Sequence, residues 1–124
     1  MSAERIVIAD DSRTAVKVLE FALVREGYEV LTAADGREAL DRIREVQPRL
    51  VILDGMMPEL DGFQVAAAVR ADSSIVPQPH IIMVTAEGRD VDEDRAQASG
   101  VNDFLTKPFS PSQLLVRVRE ALGS

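Results

Sequence analysis

At 124 residues, with 46% hydrophobic and 28% charged side chains, the chain is long enough for one domain with a sizeable core. It has no cysteine and one histidine, which excludes disulfides, thiol chemistry and any multi-histidine metal site. Fourteen basic against twenty-one acidic residues leave a net charge of −7, which disfavours direct nucleic-acid binding, and no apolar run approaches the ~20 residues of a membrane span.

Ile6 to Ala9 is a short apolar run that ends in Asp10 and Asp11. Ser12 is placed to cap a helix reaching about Glu26, with Ala15, Leu19, Ala22 and Leu23 on one face and Gly27 as its stop. Tyr28 to Thr32 reads as a strand interrupted by a charge, which predicts an edge position. Asp35 opens a second helix with Ala39, Leu40, Ile43 and Val46 at helical spacing, closed by Pro48. Leu50-Val51-Ile52-Leu53 then runs straight into Asp54 and the turn Gly55-Met56-Met57-Pro58. A continuous apolar run of this length predicts a strand buried on both faces of a sheet.

Asp61 is placed to cap a third helix carrying Phe63, Ala66, Ala67 and Val69. Ser73 to Pro79, with prolines at 77 and 79, is excluded from helix and from a central strand. Ile81 to Val84 predicts a fourth strand, ending in Thr85-Ala86 and started by His80 at an expected surface position. The helix predicted over 89–99 has a thin stripe of Val91, Arg95 and Ala98, and acids crowd its start; so little apolar surface implies weak anchoring. Asn102 to Thr106 predicts the fifth strand and leads into Lys107-Pro108. Ser110 at N-cap, Pro111 at N1 and Gln113 at N3 form a capping box for the last helix, with Leu114, Leu115, Val118, Ala121 and Leu122 as its core stripe.

Five βα units without a repeat or linker predict a single doubly wound α/β domain over residues 1–124, a (βα)5 fold with a five-stranded parallel sheet. With the flavodoxin-like order 2-1-3-4-5, the first and third strands are neighbours, and Asp10, Asp11 and Asp54 meet in the crevice at their carboxyl ends. Three carboxylates in one place repel one another, so some are protonated or a cation neutralises them. All-oxygen donors favour a hard ion such as Mg2+. An aspartate beside such an ion can attack phosphorus and form an aspartyl-phosphate. The fourth and fifth strands deliver Thr85 and Lys107, donors suited to added phosphoryl oxygens.

These residues resemble the receiver domain of two-component response regulators, and the likeness covers essentially the whole chain. It rests on Ala9-Asp10-Asp11-Ser12, on Leu53 to Gly62, on Val84-Thr85-Ala86 and on Asn102 to Phe109, in that order and with the right elements between them. The resemblance implies that Asp54 takes a phosphoryl group from a histidine kinase or phosphotransfer protein, with small-molecule phosphodonors as further sources. It implies that Asp11, Asp54 and the backbone carbonyl of Gly55 bind Mg2+ or Mn2+, with Asp10 acting mainly through water. Thr85, Lys107 and Ala86 would contact the phosphoryl oxygens, and Phe104 would turn inward when Thr85 moves. Met56 and Glu87 would flank the incoming water and modulate phosphoryl lifetime. The Lys107–Pro108 bond is expected to be cis.

The expected product is a cytoplasmic switch, not a metabolic enzyme. It would signal to an output domain or target through the face made by the predicted fourth helix, the fifth strand and the last helix. Phe104 stands where many relatives have Tyr, so packing alone is left to act there. Asn102 replaces an acid common in relatives with winged-helix DNA-binding domains, which argues against their mode of receiver pairing. The competing reading is a pseudo-receiver that binds protein and never takes phosphate; its usual mark, loss of an acid, the Thr or the Lys, is missing here. The sequence leaves open whether the domain stands alone or belongs to a longer protein.

Overall fold

The computed structural model describes residues 4–86, 94 and 98–123. Five parallel strands, β1 (Arg5–Ala9), β2 (Glu29–Ala33), β3 (Leu50–Asp54), β4 (His80–Ala86) and β5 (Asp103–Lys107), form one sheet in the order β2-β1-β3-β4-β5. Helices α1 (Arg13–Arg25), α2 (Gly36–Val46), α3 (Gly62–Ala71) and the C-terminal α4 (Pro111–Leu122) connect and cover it. The helix predicted over 89–99 lies outside the described residues, apart from Asp94 and Ala98, which have helical backbone, and Ser99, which lies in a turn.

Side chains alternate across a strand, so each central strand feeds two cores. Val7, Ala9, Val51, Leu53, Ile81 and Met83 face α2 and α3, where Ala39, Ile43, Phe63 and Val69 meet them. Ile6, Ile8, Leu50, Ile52, Ile82 and Val84 face α1 and α4, against Leu19, Leu23, Leu114 and Val118. All four apolar residues of β3 are at most 2% exposed. Burying four such side chains is worth about 6–12 kcal/mol, more than the several kcal/mol of holding a carboxylate out of water at the strand's end. The core thereby fixes Asp54 in place.

The helix ends follow their predicted caps. Ser12, Asp35, Asp61 and Ser110 are the N-caps of α1 to α4, and the capping boxes of α3 and α4 are complete. Gly27 takes φ +94° just past α1. The Lys107–Pro108 bond is cis, as is Val76–Pro77. No helix among the described residues is long and apolar enough to cross a membrane.

Strand β4 ends in Thr85 and Ala86, as expected, and these pair with Thr106 and Lys107 of β5. Three details differ from the sequence reading. In α3 Val65 joins Phe63, Ala66 and Val69 in the core, and Ala67 is exposed. Ile75 is 1% exposed within the irregular proline segment, held by tertiary contacts no periodicity reveals. His80 is half-buried, with its Nε2 atom buried and unpartnered among the described residues. Burial pushes its pKa down, with Asp103 opposing and Arg70 reinforcing the shift.

Candidate functional site

The strand ends bring together five side chains, from three strands (β3, β4 and β5) and the turn after β1. Carboxylate oxygens of Asp10, Asp11 and Asp54 lie within 4.8 Å of one another, the one such cluster among the described residues. Asp10 and Asp54 are each 6% exposed, whereas Asp11 faces solvent. Neither Asp10 nor Asp11 is the cap of α1, since Ser12 fills that role. Asp10 is instead turned inward, its Oδ1 accepting from the Ser12 N–H at 2.8 Å. That leaves Asp11 at the mouth of the crevice.

Lys107 arrives on β5 and spans the two buried acids, with Nζ 3.6 Å from Asp10 Oδ2 and 3.4 Å from Asp54 Oδ2. Among the described residues, one ammonium beside three carboxylates leaves the crevice with excess negative charge. Asp54 registers this. Burial is the largest influence and pushes its pKa up, the Met56 N–H bonded to Oδ1 at 3.2 Å pulls it down, Asp10 raises it and Lys107 lowers it. All-oxygen donors, clustered and short of positive charge, fit a small divalent cation such as Mg2+.

Thr85 is 3% exposed, and its Oγ1 is buried without a hydrogen-bond partner among the described residues. Its methyl group packs at the backbone of Gly55, where a Cβ would lie 2.9 Å from Cγ2. Gly55 itself donates its N–H to Val84 at 2.9 Å and accepts from the Gly62 N–H at 3.2 Å. Met56 is 74% exposed at the rim. Phe104 pairs with Met83 in register and packs, partly buried, against the α2–α3 core. Ala86 is placed by its pairing with Lys107, and Glu87 lies outside the described residues.

Two features escaped the sequence reading. Asn102 accepts on Oδ1 from Arg70 Nη2 at 2.7 Å and from the Ile81 N–H at 2.8 Å, so it ties β4 to the end of α3. Gly36, at the first position of α2, is buried against the turn that follows Asp54. Its neighbours Asp35 and Glu38 form a visible cap, but nothing local marks the glycine as a contact point.

The sequence profile of the response regulator receiver domain matches residues 6–119. The chain is 38% identical over 119 residues to the alkaline phosphatase synthesis transcriptional regulatory protein PhoP of Bacillus subtilis, covering 96% of this chain and 48% of that one. It spans about half the length of the curated relatives it matches. Among solved structures, the chemotaxis response regulator CheY4 of Vibrio cholerae superposes with a TM-score of 0.89 at 33% identity, over 97% of this chain and 99% of that one. A CheY-like receiver domain protein from Methanospirillum hungatei gives 0.90 at 28% identity, over 98% and 95%. Receiver domains are phosphoryl-transfer switches of two-component systems that work with histidine kinases and output domains, and they bind Mg2+ at an acidic pocket. Fold, strand-end crevice and sequence agree, and the chain belongs to the response regulator receiver domain family.

Proposed function

We propose that Asp54 is the phospho-acceptor of this receiver and that the crevice works as a phosphorylation-dependent switch. The observation that carries the reading is the convergence of three carboxylates, the Lys107 ammonium and the unpartnered Thr85 hydroxyl at one set of strand ends. A carboxylate oxygen of Asp54 attacks the phosphorus of a phosphohistidine. The P–N bond breaks, and the departing imidazole nitrogen keeps the electron pair and takes a proton. Catalysis in such a transfer is positioning and charge stabilisation. Asp54 is held by β3 and by the Met56 N–H, so the attacking oxygen is oriented before the donor arrives.

Asp11 and Asp54 would hold Mg2+ or Mn2+, with Asp10 behind them. The Gly55 carbonyl, which already accepts from Gly62, has its second lone pair to offer. When bound, the ion supplies positive charge against the carboxylates and the phosphoryl oxygens. Lys107 Nζ, already between Asp10 and Asp54, donates to a phosphoryl oxygen once the acceptor is esterified, and the main chain at Ala86 lies beside it. The Thr85 hydroxyl gains its missing partner by turning to another of those oxygens. Its departure from the sheet interior frees space that the Phe104 ring can fill, which carries the change to the face of β5 and α4. Met56 and Glu87 would set water access and hence phosphoryl lifetime. The kinase and the output module are read as the partners, with the chain acting on signals and not on metabolites.

Incubation with Mg2+ and acetyl phosphate should add one phosphate per chain by intact mass, and none to Asp54→Ala. No mass gain under conditions that label another receiver would overturn the assignment.

A further inference from the structure

We infer that Gly36, on α2 and outside the crevice, is a positioning residue that sets the geometry of the Asp54 metal and phosphoryl site through the turn Pro58–Leu60. The inference rests on the crevice being that site.

The turn after β3 is tied at three places. Gly55 is bonded to Val84 of β4, and Gly62 closes back onto the Gly55 carbonyl. The third tie is Gly36, whose N–H donates to the Pro58 carbonyl at 3.3 Å. The same carbonyl accepts from the Leu60 N–H at 2.9 Å, so Pro58–Leu60 is a tight turn. Glu59 at its centre takes φ +70°, the left-handed region that costs a non-glycine residue energy and persists only where surroundings impose it. Leu60 seats the turn on the α2–α3 core.

Space at Gly36 is absent. A Cβ there would lie 1.8 Å from the Leu60 carbonyl oxygen, 2.5 Å from its carbon and 2.7 Å from its Cβ. The first two are backbone atoms, so relief requires the turn to move, by roughly 1 Å or more on van der Waals grounds. Helix α2 cannot give instead, because Ala39, Leu40 and Ile43 anchor it in the core. The turn is the continuation of the segment that supplies the Met56 N–H to Asp54 Oδ1. Displacing it rotates or releases the carboxylate that the rest of the fold holds in place. Helix α2 thus sets the height of the Asp54 turn through one hydrogen bond and one missing methyl group.

The test compares Mg2+ affinity, by calorimetric titration of the purified chain, in wild type, Gly36→Ala and Ile43→Val. Ile43→Val thins the same helix's core contact and lowers stability without touching the turn. Gly36→Ala should weaken Mg2+ binding by about 10-fold or more, the range seen for groups that orient metal ligands. Ile43→Val should bind as wild type does. If Gly36→Ala does not fold, Leu60→Ala, which unseats the same turn, should show the same loss. Wild-type affinity in a folded Gly36→Ala, or failing that in Leu60→Ala, would overturn the inference alone. Absence of Mg2+ binding in wild type would overturn the site assignment and the inference together.

Discussion

Thr85 occupies a strand position where valine would fill the same volume without burying a polar atom. Its Oγ1 is buried and unpartnered, an arrangement that costs on the order of 1–3 kcal/mol. A sequence selected for stability alone has no use for that hydroxyl; a site that must recognise added phosphoryl oxygens does. Thr85→Val should raise the free energy of unfolding by up to about 1–3 kcal/mol in urea titrations. The same variant should still accept phosphate at Asp54 while losing the response at β5, read from the amide resonance of Phe104. A destabilised Thr85→Val, or an unchanged Phe104 response, would remove the role proposed for the hydroxyl. The convergence of Asp10, Asp11, Asp54, Thr85 and Lys107 was legible in the sequence because the first, third and fourth strands are marked by apolar runs and the fifth by the motif that leads into Lys107-Pro108. Gly36 was not, because what constrains it is the Leu60 carbonyl, far along the chain and near only in the fold.

At the scale of elements, α1 departs from an ordinary amphipathic helix. Leu19 and Leu23 face the core, yet Val18, Phe21 and Val24 are 48%, 65% and 52% exposed. Phe21 and Val18 line a groove of about 750 Å³ between α1 and α4 that also takes in Lys17, Pro111 and Leu115. Ser12, Val18, Lys107 and Pro108 line a neighbouring groove at the rim of the crevice. Asp54 is 6% exposed, so a protein that delivers a phosphoryl group to it must sit on that rim, and the apolar face of α1 is continuous with it. Phe21→Glu should therefore slow phosphotransfer from the cognate kinase by about 10-fold or more, as loss of an aromatic anchor does at interfaces. Its labelling by acetyl phosphate should be unchanged, because the small donor needs no such surface. Equal slowing with both donors would show that the substitution acts on the site or the fold. Helix boundaries were readable from caps such as Ser110 with Gln113, which are local chemistry. The burial of Ile75 was not, since it depends on tertiary contacts that no local pattern marks.

Over the whole molecule, charge sets folding against function. The chain carries a net −7, and the fold gathers three carboxylates at one point with one ammonium between the two buried ones. Strand order alone does this, which is why the cluster was visible once the known doubly wound order 2-1-3-4-5 was taken for the sheet. The raised pKa of Asp54 means that ionising it in the fold costs more than in the unfolded chain. That penalty is present at pH values above the folded pKa and is relieved as pH falls through it toward 3.8, where the folded form holds its proton and the unfolded form does not. A cation bound only by the folded crevice offsets it at neutral pH. Mg2+ at 100 times its Kd should then add about 2.7 kcal/mol to the unfolding free energy, measured by urea titration against EDTA at matched ionic strength. Asp54→Asn and Asp11→Asn should lose most of that increment, and Asp54→Asn in EDTA should be more stable than wild type in EDTA at pH 7. If both variants kept the full increment, Mg2+ would be screening the acidic surface at large and the crevice would not be its site.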